Sequence, residues 1–181
     1  QLLISDMLDF NKLASGKMHL SFQPENLQKL LAETVNGNEA MAREFGVRLA
    51  APHTPAITLQ TDGHRLRQIL DNFVSNAIKF SPKQGLVTLH AEKTHPNRLR
   101  ITVSDQGKGV PEGFQSQLFE RFAQAEAGTT RANNGTGLGL AISRQLAGLL
   151  NGSVGFYNSS GAHFWVELPM DSTALPEAPS S

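Results

Sequence analysis

Residues 67–82 read RQILDNFVSNAIKFSP, and the helix they imply organises the rest of the chain. Over Gly63–Phe80 the apolar residues Leu66, Ile69, Leu70, Phe73, Val74 and Ala77 fall on one arc, the pattern of an amphipathic helix facing a core. Arg65, Asn72, Asn76 and Lys79 form a second stripe beside it, because spacings of 7, 4 and 3 return to nearly the same angle. Asparagine is a poor helix former that belongs more naturally at caps, so two of them in mid-helix need a reason. Side-chain carbonyls stacked one turn apart suit Mg²⁺ that keeps its waters and a substrate's phosphates. Taken alone, the same stripe also suits a solvated polar face.

Outward from this helix the segments alternate in type. Leu86–Lys93 and Arg98–Asp105 are expected strands around a turn at His95-Pro96-Asn97. In the second, Leu99, Ile101 and Val103 alternate with Arg100, Thr102 and Ser104, which puts Asp105 on the apolar face. A carboxylate there needs hydrogen-bond donors. Gly107 and Gly109 follow at once and let backbone approach a ligand closely; an adenine amino group would satisfy the acid. An ordinary Asp opening a glycine turn reads the same way locally. Residues 106–139 are rich in Gly, Asn, Gln and Thr apart from the apolar island Leu118–Phe122, and a long irregular stretch in a compact domain is usually functional. It ends in Gly135-Thr136-Gly137-Leu138-Gly139-Leu140, glycines leading into an expected helix Leu140–Leu150 whose first amides make an anion site. The G-x-G-x-G spacing is neither the dinucleotide fingerprint nor a P-loop, and by itself also suits a flexible loop.

The remaining elements are a bundle-helix end over residues 1–16, a short strand over Met18, Leu20 and Phe22 broken by Pro24, and a helix from an Asn26 cap to about Phe45. A strand Ile57–Gln60 and a closing hairpin of Ser153–Tyr157 with Ala162–Leu168 complete the domain. Expected boundaries are therefore 1–16, a linker 17–25, a catalytic domain 26–170, and a linker-like tail 171–181.

Composition narrows the function classes. The 181 residues are 39% hydrophobic and 18% charged, the balance of a folded domain. Sixteen basic residues balance sixteen acidic ones, so the basic excess of a sequence-independent nucleic-acid binder is missing, and no nucleic-acid partner is expected. There is no cysteine, which excludes disulfide scaffolds, thiol catalysis and cysteine-rich metal sites. No apolar run approaches the roughly 18 residues of a membrane span, and no signal peptide is legible at Gln1, so a soluble piece is expected.

In combination, the helix RQILDNFVSNAIKFSP resembles the N box of bacterial sensor histidine kinases. DQGKGV resembles their first glycine box, LFERFAQ their phenylalanine box and GTGLGLAI their second, in the family's order, from about Asn26 to Leu168. ISDMLDFNKLASGKM resembles the end of their dimerisation and phosphoacceptor domain, and TTR with GTGLGLAISRQLAGLLNG is similar to hybrid-type members. The resemblance implies an α/β sandwich of the Bergerat type, a mixed sheet with helices on one face, within the superfamily of gyrase, chaperone, histidine kinase and mismatch-repair ATPases. It implies a kinase that passes the γ-phosphoryl group of ATP to a histidine, for relay to a response-regulator aspartate. By matched position, Asn76 would ligate Mg²⁺, with Asn72 and Lys79 catalytic beside the phosphates. Asp105 would take the adenine amino group, with Gly107 and Gly109 shaping that end. Phe119 and Phe122 would anchor a lid, Arg131 would reach the γ-phosphate, and Gly135, Thr136, Gly137, Leu138, Gly139 and Leu140 would bring backbone to the phosphates. Implied partners are the protein's own phosphoacceptor domain, a receiver domain and a second copy in a homodimer. The implied location is the cytoplasm, with an inner-membrane anchor open for the full-length protein.

Some positions depart from the pattern. Asn133-Asn134 stand where hybrid kinases often have glycines, and Gly161-Ala162-His163-Phe164 replaces Gly-Ser-Thr-Phe, an exchange expected to be structural only. None of the six histidines has a phosphoacceptor context, and His64 is expected on the surface. A hydrolase of this superfamily would carry a glutamate at Asn72 to activate water; the alternative function is a degenerate kinase domain acting as a nucleotide-responsive module.

Overall fold

The computed structural model describes residues 19–109 and 138–171. Among the described residues seven strands and three helices follow one another as β1 (Gln23–Asn26), α1 (Leu27–Phe45), β2 (Arg48–Ala50), β3 (Thr58–Thr61), α2 (Gly63–Phe80), β4 (Leu86–His95), β5 (Arg98–Ser104), α3 (Leu138–Leu149), β6 (Ser153–Asn158) and β7 (Ala162–Pro169). The main sheet has the order β2-β4-β5-β7-β6, with β2 parallel to β4 and every other pair antiparallel. β1 and β3 form a separate antiparallel pair. The helices cover one face of the mixed sheet, as the α/β sandwich requires. Leu66, Ile69, Leu70 and Phe73 of α2 are fully buried with Leu89, Ile101 and Val166 of the sheet, and Phe73 meets Phe164 with ring centroids 5.7 Å apart.

Local chemistry sets the helix ends. The Asn26 side chain accepts from the Lys29 amide at 2.9 Å, and Gly46, at φ 69°, closes α1 in the left-handed conformation. Asp62 caps α2 by accepting from the Arg65 amide at 3.1 Å, and its other oxygen accepts from Ser21 N at 2.9 Å. Ser81 stops α2 in an extended conformation because Pro82 follows.

Three expectations need correction. The first strand is Gln23–Asn26, with Pro24 inside it, while Leu20 and Phe22 pack on the core ahead of it. Proline is tolerated because its partner Gln60 turns its own N–H away, to Met170 O at 2.8 Å, so no ladder bond is asked of Pro24. β2 was not foreseen: three residues carry too little alternation to be read, and the parallel pairing with β4 defines it. Helix α3 begins at Leu138, so Leu138 and Gly139 belong to its first turn instead of a preceding loop. The other strands differ from expectation by one or two residues at their ends. Residues 1–16 and 172–181 lie outside the described residues.

Candidate nucleotide-binding site

The site is built around one side and the C-terminal end of α2. Asn72, Asn76 and Lys79 all lie half-buried along this helix, on the stripe read from the sequence. Asn72 Nδ2 donates to Ser143 Oγ at 3.1 Å, and Ser143 is a fully buried residue of α3. That bond brings the polar stripe against the helix that carries the second glycine motif. Among the described residues Asn76 has no side-chain hydrogen bond and Lys79 no carboxylate partner. Burial lowers the Lys79 ammonium pKa from its ordinary 10.5, because desolvation penalises the charge. A half-buried cation in that condition is satisfied by an anion.

β5 places Asp105 where the alternation predicts, on the helix-facing side and 3% exposed. Its Oδ1 accepts from Gly107 N at 2.8 Å and from Ala162 N at 3.1 Å. Its Oδ2 is buried with no hydrogen-bond partner among the described residues. One oxygen thus serves the glycine turn, and the other is left as a buried acceptor. An unsatisfied buried carboxylate oxygen is costly, so this atom points to a ligand that brings an N–H. Gly107 packs so tightly that a β-carbon there would collide with the carbonyl of Phe80, which sets the first glycine motif against the end of α2. Gly109, at φ 86°, needs the left-handed conformation that glycine alone adopts freely.

Three separate sequence motifs therefore meet around α2. Leu138, Gly139 and Leu140 stand in the first turn of α3, with Leu140 packed against the core. Phe119, Phe122, Arg131, Gly135, Thr136 and Gly137 lie outside the described residues. Sequence reading missed Ser143, whose only signal is a small polar residue inside the apolar run of α3. Asp71, the acid nearest the stripe, is turned toward α1: its Oδ1 accepts from Arg67 Nε at 3.0 Å and from Asn38 Nδ2 at 3.0 Å. His64 is exposed, as expected. A cavity of about 510 Å³ between Ile57, Lys93, Asn97 and Met170 lies at the opposite end of β5 and holds none of these residues.

The residues present suit a magnesium nucleotide: a free buried acceptor for a base amine, a desolvated cation for phosphate, and an amide oxygen for a hydrated metal. Among the described residues no helix is long and apolar enough to cross a membrane.

The family described as histidine kinase-, DNA gyrase B- and HSP90-like ATPases matches residues 61–172. The sensor protein GacS of Pseudomonas syringae pv. syringae is 38% identical over 93% of this chain and 19% of its own length. The circadian input-output histidine kinase CikA of Synechococcus elongatus is 36% identical over 98% of this chain and 24% of its own. The crystal structure of full-length ShkA in complex with AMPPNP superposes with a TM-score of 0.80 at 36% identity, covering 92% of this chain and 35% of that one. The chain spans a quarter or less of the curated relatives it matches. It belongs to the family of histidine kinase-, DNA gyrase B- and HSP90-like ATPases, as a catalytic domain of the sensor histidine kinase kind.

Proposed function

We propose that this domain binds Mg²⁺·ATP and transfers its γ-phosphoryl group to a histidine on a companion phosphoacceptor domain, for relay to a receiver aspartate. The observation that carries the reading is Asp105 Oδ2, a buried carboxylate oxygen with no donor at the end of the central strand. It would accept from the adenine amino group, with Gly107 and Gly109 leaving room for the base. Lys79 and Asn72 would hold the phosphates. Asn76 would supply an amide oxygen to Mg²⁺, which neutralises phosphate charge when bound. Arg131 and the backbone of Gly135–Leu140, with Phe119 and Phe122 bracing the lid, would complete the phosphate end. The β–γ bridging bond breaks, ADP leaves, and a histidine nitrogen gains the phosphoryl group. Positioning and charge neutralisation are the domain's contribution.

Hydrolysis is disfavoured on two counts. Asn72 is a poor general base. Asp71, one residue away, is already engaged by Arg67 and Asn38. We further propose that residues 1–16 end the dimerisation helix of a homodimeric cytoplasmic kinase and that 171–181 lead toward a receiver.

The test is a calorimetric titration of the 181-residue chain with a non-hydrolysable ATP analogue, with and without Mg²⁺, followed by ATP and the phosphoacceptor domain added in trans. Saturable binding strengthened by Mg²⁺, an enhancement lost in Asn76→Ala, and label appearing on the histidine domain are the expected results. No binding under either condition would leave a degenerate regulatory domain.

A further inference from the structure

His163 makes hydrogen bonds to two separate elements. Ser104 and His163 sit directly opposite each other on β5 and β7, on the sheet face away from the helices. Ser104 Oγ is 2.6 Å from His163 Nδ1, and His163 Nε2 is 2.9 Å from the carbonyl oxygen of Ser159. A carbonyl only accepts, so Nε2 carries a proton, and Nδ1 makes the ring's other bond with the serine hydroxyl. The ring also stacks on Tyr157, with centroids 4.5 Å apart and planes 7° from parallel. One imidazole thus joins the end of β5 to the turn between β6 and β7.

That turn bears directly on Asp105. Ser160 and Gly161 both have positive φ, 55° and 132°, and a β-carbon on Gly161 would strike the Asp105 carbonyl. Asp105 N donates to Ala162 O at 3.0 Å, and Ala162 N donates back to Asp105 Oδ1 at 3.1 Å. At the end of β6, beside this turn, the Asn158 side chain lies where a β-carbon on Gly109 would meet it, 2.7 Å away. The backbone conformation that leaves Asp105 Oδ2 free is therefore set by the 158–162 turn, and His163 pins that turn through Ser159. We infer that His163 is a positioning residue for nucleotide recognition, holding the turn that orients Asp105 through its paired bonds to Ser104 and Ser159. The inference rests on the proposed role of Asp105 in binding adenine.

The test is titration of the unmodified chain and of Asp105→Asn, His163→Phe, His163→Gln and Ser104→Ala with ADP and with GDP, with melting temperatures read alongside. Phenylalanine keeps the stack on Tyr157 and loses both hydrogen bonds, whereas glutamine can still donate to Ser159 O. Expected results are ADP binding weakened about five- to tenfold in His163→Phe, with a reduced preference for ADP over GDP, and recovery to within about twofold in His163→Gln. Ser104→Ala should fall between them, and with His163→Gln it carries the test if His163→Phe does not fold. Unchanged affinity and base preference in His163→Phe and Ser104→Ala would overturn the inference, as would equal losses in His163→Phe and His163→Gln. Absence of ADP binding by the unmodified chain, or binding indifferent to Asp105→Asn, would overturn the nucleotide reading and this inference with it.

Discussion

Asn72 of α2 and Ser143 of α3 meet across 71 residues of sequence, the asparagine amide donating to the serine hydroxyl at 3.1 Å. The amide is thereby oriented by a side chain with no solvent exposure. Ser143→Ala removes this acceptor. A loss of about 1 kcal/mol in stability is expected by chemical denaturation, the ordinary worth of such a bond. If Asn72 acts beside the phosphates, phosphoryl transfer to a histidine domain in trans should fall more than ADP affinity does. Equal falls in both would argue for a role in packing alone.

Asp105→Asn tests the base end of the site. An asparagine oxygen can still accept from Gly107 N and Ala162 N, so the fold should survive. The amide nitrogen would then replace the free Oδ2 and face the adenine amino group donor to donor. Leaving such a group unsatisfied costs about 1–3 kcal/mol, so ADP affinity should drop roughly 5- to 150-fold with little change in melting temperature. Wild-type affinity in the variant would remove Asp105 from the site.

If Lys79 holds phosphate, binding should depend on pH. Burial favours its neutral form in the free protein and lowers its pKa from 10.5. A phosphate beside it favours the charged form, so binding should take up protons at alkaline pH. Affinity for ATP is expected to weaken as pH rises through the lowered pKa of the free protein, with the decline starting below 10.5. Lys79→Met should bind more weakly at neutral pH and lose this alkaline decline. An identical alkaline profile in the variant would assign the dependence elsewhere.

Glu167, on the sheet face away from the helices, is expected to contribute to acid stability. Burial pushes its carboxyl pKa up, but bonds from Arg98 Nε at 3.1 Å and Arg100 Nη2 at 3.0 Å more than offset this, and the net pKa lies below 4.5. Arg100 is itself held over Trp165, 4.0 Å from the ring centroid. A depressed carboxyl pKa contributes stability that is complete above the unfolded value and is lost as pH falls through the folded one. Glu167→Gln should cost about 1 kcal/mol at neutral pH and flatten the stability curve below 4.5. A variant with the unmodified acid limb would show that other carboxylates dominate it.

Much of this architecture is legible in the sequence. The arc from Leu66 to Ala77 names the buried face of α2, and Asn26 is a capping residue whose side chain accepts where the capping rule requires. Alternation across Arg98–Ser104 put Asp105 on the inner face because strand periodicity is strictly two. These are local properties, carried by spacing along a single element. What the tertiary structure decided are the pairings between segments far apart. Local spacing does not reveal that Gln60 turns its N–H to Met170 and so admits Pro24 to a strand, nor that Arg48–Ala50 join β4 in parallel. The division of labour within Asp105 is of the same kind: Ala162, 57 positions away, takes one oxygen and leaves the other free. His163, read from sequence as a structural exchange, acquires its partners only when β5 and β7 come into register. Periodicity determines which face a side chain occupies; which atoms it meets there depends on chain topology, and topology is a property of the whole fold.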